Sequence, residues 1–120
     1  MIMRVLKRES VMDHRKIEER SLALHREIAV KIQQNPSLLV EVRQRLEQAV
    51  GSKRYSESVK GALREWLDIL DEKPVSEILE LLTDPGEEAT RLRQSSPFAD
   101  VLSEAERRRV LNRFYESARV

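Results

Sequence analysis

Apolar residues recur every three to four positions along most of the chain, which is the spacing of an amphipathic α-helix. The first such stretch covers about residues 11–34, and Ser10 with Asp13 forms a loose capping box at its start. Its main apolar stripe consists of Ile17, Leu24, Ile28 and Ile32. No segment alternates apolar and polar residues for long enough to indicate a β-strand, so the pattern predicts helices alone.

Capping residues, glycine and proline then divide the middle of the chain. Asn35 as cap and Pro36 as the first helical residue begin a second helix, which Gly51 ends as a left-handed cap. A third helix is predicted over about residues 56–72, where Pro74 stops it. Its apolar stripe consists of Val59, Leu63, Trp66, Leu67 and Leu70.

Three shorter helices complete the prediction. A fourth covers VSEILELLT, residues 75–83, and a fifth begins with Asp84 as its cap and ends near Gln94. After the loop SSPFADVL, Ser103 and Glu106 form a capping box that begins the last helix. The stripe of that helix consists of Val110, Leu111 and Phe114.

These elements predict an all-α fold, a compact irregular bundle of five to six helices. Residues 1–10 are expected to be a flexible N-terminal segment and residues 11–120 a single helical domain, since 120 residues suffice for one core. Leu22, Ala29 and Val30 lie off the main stripe of the first helix. That helix is therefore expected either to be central in the fold or to be covered by a second chain in a homo-oligomer.

Composition narrows the classes of function. The chain has no cysteine, which excludes thiol catalysis, disulfides and thiolate metal sites and suits a reducing cytoplasm. No apolar run reaches the roughly 20 residues that a membrane-spanning helix needs. We therefore expect a cytoplasmic protein that does not insert into a membrane.

Charge is unevenly distributed although its total is only +1. Residues 1–56 carry a net +5, residues 57–90 a net −7 and residues 91–120 a net +3. At 100° per residue, five carboxylates of the third helix fall opposite its apolar stripe. They are Glu57, Glu65, Asp68, Asp71 and Glu72. Such a face is either simply solvated or docks on a basic surface of a partner protein.

The sequence offers no recognisable catalytic or metal-binding motif. His14 and His25 are the only histidines, and eleven residues on one helix set them about three turns apart, too far to share a metal ion. Both are expected at the surface or its edge. The three glycines are scattered singly and cannot form a phosphate-binding loop. We therefore predict no enzymatic activity, no metal and no cofactor.

The segment RLRQSSPF, residues 91–98, supports two interpretations. In one, Phe98 packs beneath the loop while the arginines pair with the acidic middle of the chain. In the other, Arg91, Arg93 and Phe98 stay partly exposed as contacts for a partner, since arginine and aromatic residues are favoured anchors.

Nucleic-acid binding is the runner-up function. Four arginines of the last helix, aided by the two before the loop, could contact phosphates, but glutamate neighbours dilute their field. These arginines are Arg107, Arg108, Arg109 and Arg113.

Three segments carry a resemblance to known proteins: RSLALHREIAVKIQQNPSLL, ALREWLDIL and RLRQSSPFADVLSEAER. Together they resemble a family of small bacterial all-helical proteins, itself similar to antitoxin partners of nucleotidyltransferase-type toxins, over about residues 20–113. The resemblance implies a non-enzymatic protein that binds and neutralises a partner acting on nucleotides or RNA. The alternatives are a nucleic-acid-binding regulator and a structural oligomeric protein.

Overall fold

A computed structural model describes the backbone of residues 2–118 and the side chains of residues 14–117. Within that range the chain forms six α-helices and one 3-10 turn, with no strand, so the predicted all-α class is confirmed. The helices are α1 (Ile2–Gln34), α2 (Leu38–Gly51), α3 (Glu57–Glu72), α4 (Val75–Thr83), α5 (Glu87–Arg93) and α6 (Glu104–Ala118), and the 3-10 turn is Ala99–Val101.

Helix α1 is the longest element, and both α4 and α6 pack against it, which confirms its central place. It begins at Ile2 instead of after Ser10, so the predicted capping box at Ser10 lies inside a continuous helix. The flexibility predicted for residues 1–10 stays a prediction. Of the residues off the main stripe, Ala29 is buried and Leu22 is half-buried, whereas Val30 is 48% exposed.

Most predicted boundaries agree with the structure because local caps set them. Ser56 caps α3 by accepting a hydrogen bond from the backbone N–H of Val59. Ser103 and Glu106 form the expected capping box of α6: each side chain accepts the other residue's backbone N–H, at 3.1 and 2.8 Å. Pro74 separates α3 from α4.

Three further caps were predicted wrongly. Asn35 and Pro36 do not begin α2, whose first residue is Leu38 and whose N-cap is Ser37. Gly51 is the last helical residue of α2, and no residue in the described part of the chain has a positive φ, so there is no left-handed cap. Asp84 ends α4 instead of capping α5, whose N-cap is Gly86. The Asp84 carboxylate nevertheless accepts the Gly86 N–H at 2.8 Å, which forms a turn between the two helices.

The core is mainly aliphatic, as the composition requires, and it is centred on two aromatic rings. Trp66 and Phe98 are both fully buried and meet edge to face with ring centroids 5.2 Å apart. The indole N–H of Trp66 donates to the carbonyl oxygen of Leu92 at 2.8 Å, so burial leaves no donor unpaired. The stripe of α3 is less uniform than predicted, because Val59 at its start is 43% exposed. The same holds for Ile17 on α1.

A charged contact fixes the start of α6 against α1. The ammonium group of Lys31 donates to the carboxylate of Glu106 at 2.6 Å and to the carbonyl of Val101 at 2.8 Å. This bond from Lys31, with the N–H of Ser103, lowers the pKa of Glu106 to about 2. The capping box and the contact between helices therefore share one carboxylate.

Replacing Trp66 tests this account of the core. Trp66→Ala removes the contact with Phe98 and leaves a cavity, so we expect the free energy of unfolding to fall by roughly 3–5 kcal/mol. Trp66→Phe keeps an aromatic ring but loses the hydrogen bond to Leu92, so it should cost less than the alanine change. Urea denaturation followed by circular dichroism measures both values. A loss below about 1 kcal/mol for Trp66→Ala would contradict the central place of this ring.

Candidate interaction surfaces and the histidine–serine cleft

The five predicted carboxylates of α3 form one outer face, whose members face solvent to different degrees and have different partners. Three of them pair within the chain: Glu57 with Arg64, Glu65 with Arg91 and Asp71 with Arg43. The remaining two are exposed and form no ion pair within residues 14–117. They are Asp68 and Glu72.

Arg91 is exposed, but its guanidinium already has partners. It donates to both carboxylate oxygens of Glu65, at 3.2 and 2.8 Å, and also pairs with Glu88 on its own helix. This pairing raises the pKa of Arg91, and the hydrogen bond from Arg91 lowers the pKa of Glu65. A bidentate arginine–carboxylate contact of this kind joins α3 to α5.

Arg93 was predicted as a partner contact, but the structure places it in the interior, where it is 6% exposed. Its guanidinium donates to the carbonyl oxygens of Leu81 and Asp84, at 2.9 and 2.6 Å, and to the hydroxyl of Thr90. The last carbonyls of a helix have no partner within it, so Arg93 satisfies the end of α4. It is a structural residue and not a surface contact.

Phe98 is also not a surface contact, because it is fully buried against Trp66. Of the two interpretations of RLRQSSPF, the intramolecular one is therefore correct for Phe98. Arg93 also turns inward, but it bonds to backbone carbonyls instead of to the predicted carboxylates. The intramolecular interpretation also describes Arg91, which pairs with the acidic α3.

The four arginines of α6 are all exposed. Arg108 pairs loosely with Glu104 at 3.7 Å, and Arg113 with Glu27 at 3.5 Å. Arg107 and Arg109 have no ion pair among the described residues. The helix therefore presents positive charge, interrupted by its own glutamates.

His14 is exposed, as predicted, but His25 is buried, which contradicts the prediction of a surface or edge histidine. Its Nδ1 lies 2.7 Å from the carbonyl oxygen of Ser21, and its Nε2 lies 2.7 Å from the hydroxyl of Ser96. Since a carbonyl only accepts, Nδ1 carries the proton and Nε2 accepts from Ser96. Burial is the main cause that lowers the pKa of His25, and the positive charge of Arg93 lowers it further. The hydrogen bond to the Ser21 carbonyl raises it in part.

This pair lies on the wall of a cleft of about 350 Å³ between α1, the 3-10 turn and the start of α6. Leu24, Ile28 and Leu102 give the cleft an apolar lining. Its other lining residues are His25, Ser96, Ala99, Asp100, Glu104 and Arg107.

Sequence reasoning missed this site because its two polar residues are 71 positions apart. The spacing of the two histidines relates them only to each other, and Ser96 is one serine among many. Only the packing of the loop against α1 brings the two side chains together.

No family model, no curated protein and no solved structure matches this chain. No helix within residues 2–118 has both the length and the apolar character needed to cross a membrane.

The burial of His25 predicts a pH dependence of stability. Its pKa is lowered in the folded protein, so the unfolded chain binds more protons once the pH falls below the ordinary histidine value of 6.5. This residue's contribution to stability is thus complete at higher pH and is lost as the pH falls through its folded pKa, by at most about 1.4 kcal/mol per pH unit.

Urea unfolding between about pH 5 and 8 measures this loss. We expect His25→Gln to abolish the histidine-dependent part of the slope. His14→Gln, which changes the exposed histidine, is the matched control and should keep the part of the slope that His25 produces. Equal slopes in the wild type and the His25→Gln protein would show that His25 does not titrate as inferred.

Proposed function

We propose that the protein is an antitoxin-like binding module, which binds and neutralises a basic partner protein that acts on nucleotides or RNA. Its role toward that partner is binding, with no chemical step on the partner. The outer face of α3 is the proposed contact. The absence of cysteine from the sequence suits action in the reducing cytoplasm.

The observation that carries the proposal is the pair of carboxylates, Asp68 and Glu72, on the outer face of α3. Both are exposed and have no basic partner among the described residues, while the inner side of the same helix is anchored by Trp66. A rigid helix holds these charges in a fixed arrangement, so little conformational entropy is lost when a partner binds. Negative charge that the fold does not use is available to a positively charged groove.

Gly61 supports the same surface. It lies in the middle of α3 and is exposed, and a Cβ placed there would meet nothing within 4 Å. At 100° per residue it lies on the same side of the helix as Asp68. Glycine in an exposed helix interior costs about 1 kcal/mol relative to alanine, and nothing in the fold requires it. Close approach of a partner backbone at this position would account for it.

Two alternatives rest on other surfaces. The exposed arginines of α6 favour a nucleic-acid-binding regulator, with Arg107 and Arg109 the most available for phosphates. Ile17 and Val30 are exposed apolar residues on α1, and they would be covered if the chain formed a homo-oligomer through that helix.

Charge reversal on α3 tests the proposed contact. Asp68→Lys with Glu72→Lys should leave the fold intact, at a cost below about 0.5 kcal/mol each, because both side chains are exposed. The double variant should slow association with the basic product of the neighbouring gene by roughly tenfold or more at low salt, and the loss should shrink as salt screens the field. Glu65 and Asp71 are left unchanged because they pair within the chain.

Glu116→Lys, a reversal at another exposed carboxylate, on α6, is the control and should have a much smaller effect. Surface plasmon resonance gives the rates for all three proteins. If the reversals on α3 leave association unchanged while Arg107→Ala and Arg109→Ala weaken binding to duplex DNA, the nucleic-acid alternative is favoured instead.

Gly61→Ala separates stability from binding. The change should raise the free energy of unfolding by roughly 0.4–1 kcal/mol, because alanine restricts the unfolded chain and meets no neighbour in the fold. It should nevertheless weaken binding of the partner if a backbone approaches this position closely. Calorimetric titration and urea unfolding measure the two effects on one sample. A more stable protein with unchanged affinity would show that the contact does not include Gly61.

A further inference from the structure

His25 and Ser96 have the geometry of an activated serine. The serine hydroxyl donates to Nε2 of the histidine at 2.7 Å, and Nδ1 is held by the Ser21 carbonyl at the same distance. A nucleophile within hydrogen-bond reach of a base, with the base oriented by a third group, is the arrangement used in nucleophilic catalysis.

The pair opens onto a space that can hold a small molecule. The volume of the cleft, about 350 Å³, lies within the range of small-molecule sites. The apolar side chains of Leu24, Ile28 and Leu102 line one part of it beside His25 and Ser96, and charged residues line another part. A short hydrocarbon group is the chemistry that the apolar part accepts.

Two further features suit acyl transfer. Burial lowers the pKa of His25, so its imidazole is neutral and able to accept a proton at neutral pH. Ala99 and Asp100 also line the cleft, and neither of their backbone N–H groups donates a hydrogen bond within the part of the chain described. Unpaired N–H groups beside a serine nucleophile can hydrogen-bond the oxygen that becomes negative during attack.

We propose that Ser96 is a nucleophile activated by His25, and that the cleft takes carboxylic esters with a short apolar acyl group. Ser96 Oγ forms a bond to the acyl carbon while its proton passes to Nε2 of His25. The bond from that carbon to the ester oxygen then breaks, and the departing alcohol takes the proton from Nε2. Water hydrolyses the acyl-serine by the same route, which releases the carboxylic acid and restores both residues.

The reaction is expected to be slow. The group that orients His25 is a neutral carbonyl, which stabilises a protonated imidazole less than a carboxylate would. The positive charge of Arg93 destabilises the protonated imidazole further. The N–H of Phe98 also donates to Ser96 Oγ at 3.2 Å, which occupies part of its lone-pair density. Formation of the acyl-serine is therefore the more sensitive observable than turnover.

This activity lies beyond the proposed binding role and does not depend on it, since it uses neither Asp68 nor Glu72. It departs from the sequence-based prediction of no enzymatic activity, because no sequence pattern brings His25 and Ser96 together.

The test uses the intact protein and p-nitrophenyl butyrate. Release of p-nitrophenolate is followed by absorbance, and mass spectrometry of the digested protein locates the butyryl group. Ser95 is an internal reference, because its hydroxyl donates to the carbonyl of Leu92 and its hydrogen bonds include none to a histidine. We expect acylation of Ser96 to be at least about 100-fold faster than that of Ser95, the usual contribution of a general base.

Three variants complete the test. Ser96→Ala should abolish the adduct and the release, whereas Ser95→Ala should leave both unchanged. His25→Gln, checked for folding by circular dichroism, should lower the rate of acylation at Ser96 while Ser96 is still present. Acylation of Ser96 no faster than that of Ser95, or unchanged in His25→Gln, would overturn the proposal.

The pH dependence of acylation distinguishes a base from a structural contact. If His25 only held Ser96 in place, the rate would not follow the protonation of His25. The rate of acylation should fall as the pH drops through the lowered pKa of His25, because a protonated imidazole cannot accept the serine proton. The charged groups around it are Arg93 on α5, Asp100 in the 3-10 turn, and Glu104 and Arg107 on α6. A rate of acylation that does not change between about pH 5 and 8 would also overturn the proposal.

Discussion

The edge-to-face contact between Trp66 and Phe98 holds three distant parts of the chain together. Trp66 belongs to α3, Phe98 follows the loop after α5, and the indole N–H reaches back to Leu92 at the end of α5. The chain has only five aromatic residues, so aliphatic side chains fill the rest of the core around these two rings. The position of the loop follows from this contact, and Phe98 N–H in turn holds Ser96 beside His25.

Some charged side chains of this protein pair with other parts of the fold, whereas others have no such partner among the described residues. Arg91 joins α5 to α3, Lys31 joins α1 to α6, and Arg93 satisfies the carbonyls at the end of α4. Such contacts between helices explain how a chain with 36% charged residues builds a compact bundle. Asp68 and Glu72 take no part in these pairs, so the fold does not use their negative charge.

The sequence predicted the helices well because local chemistry sets their ends. The capping box at Ser103, the cap at Ser56 and the burial of Trp66 follow from neighbours a few residues away. Contacts between residues far apart in the chain could not be predicted from the sequence. An arginine pattern indicates a solvent-facing side chain, yet Arg93 is buried because the carbonyls of α4 satisfy it. Likewise, no spacing rule brings a helical histidine to a serine that lies 71 residues further along.

The two proposed activities depend on opposite sides of the same aromatic contact, and this makes them separable. Trp66 occupies the inner side of α3 and touches Phe98, whose backbone supports Ser96, whereas Asp68 lies on the outer face. A substitution at Asp68 removes no contact with Trp66 or the loop, so it should not change the rate of acylation at Ser96 in the cleft. Damage to the ring pair would displace both the loop and the inner side of α3. A variant that loses both activities therefore indicates damage to the core, while loss of one alone locates the defect on its own surface.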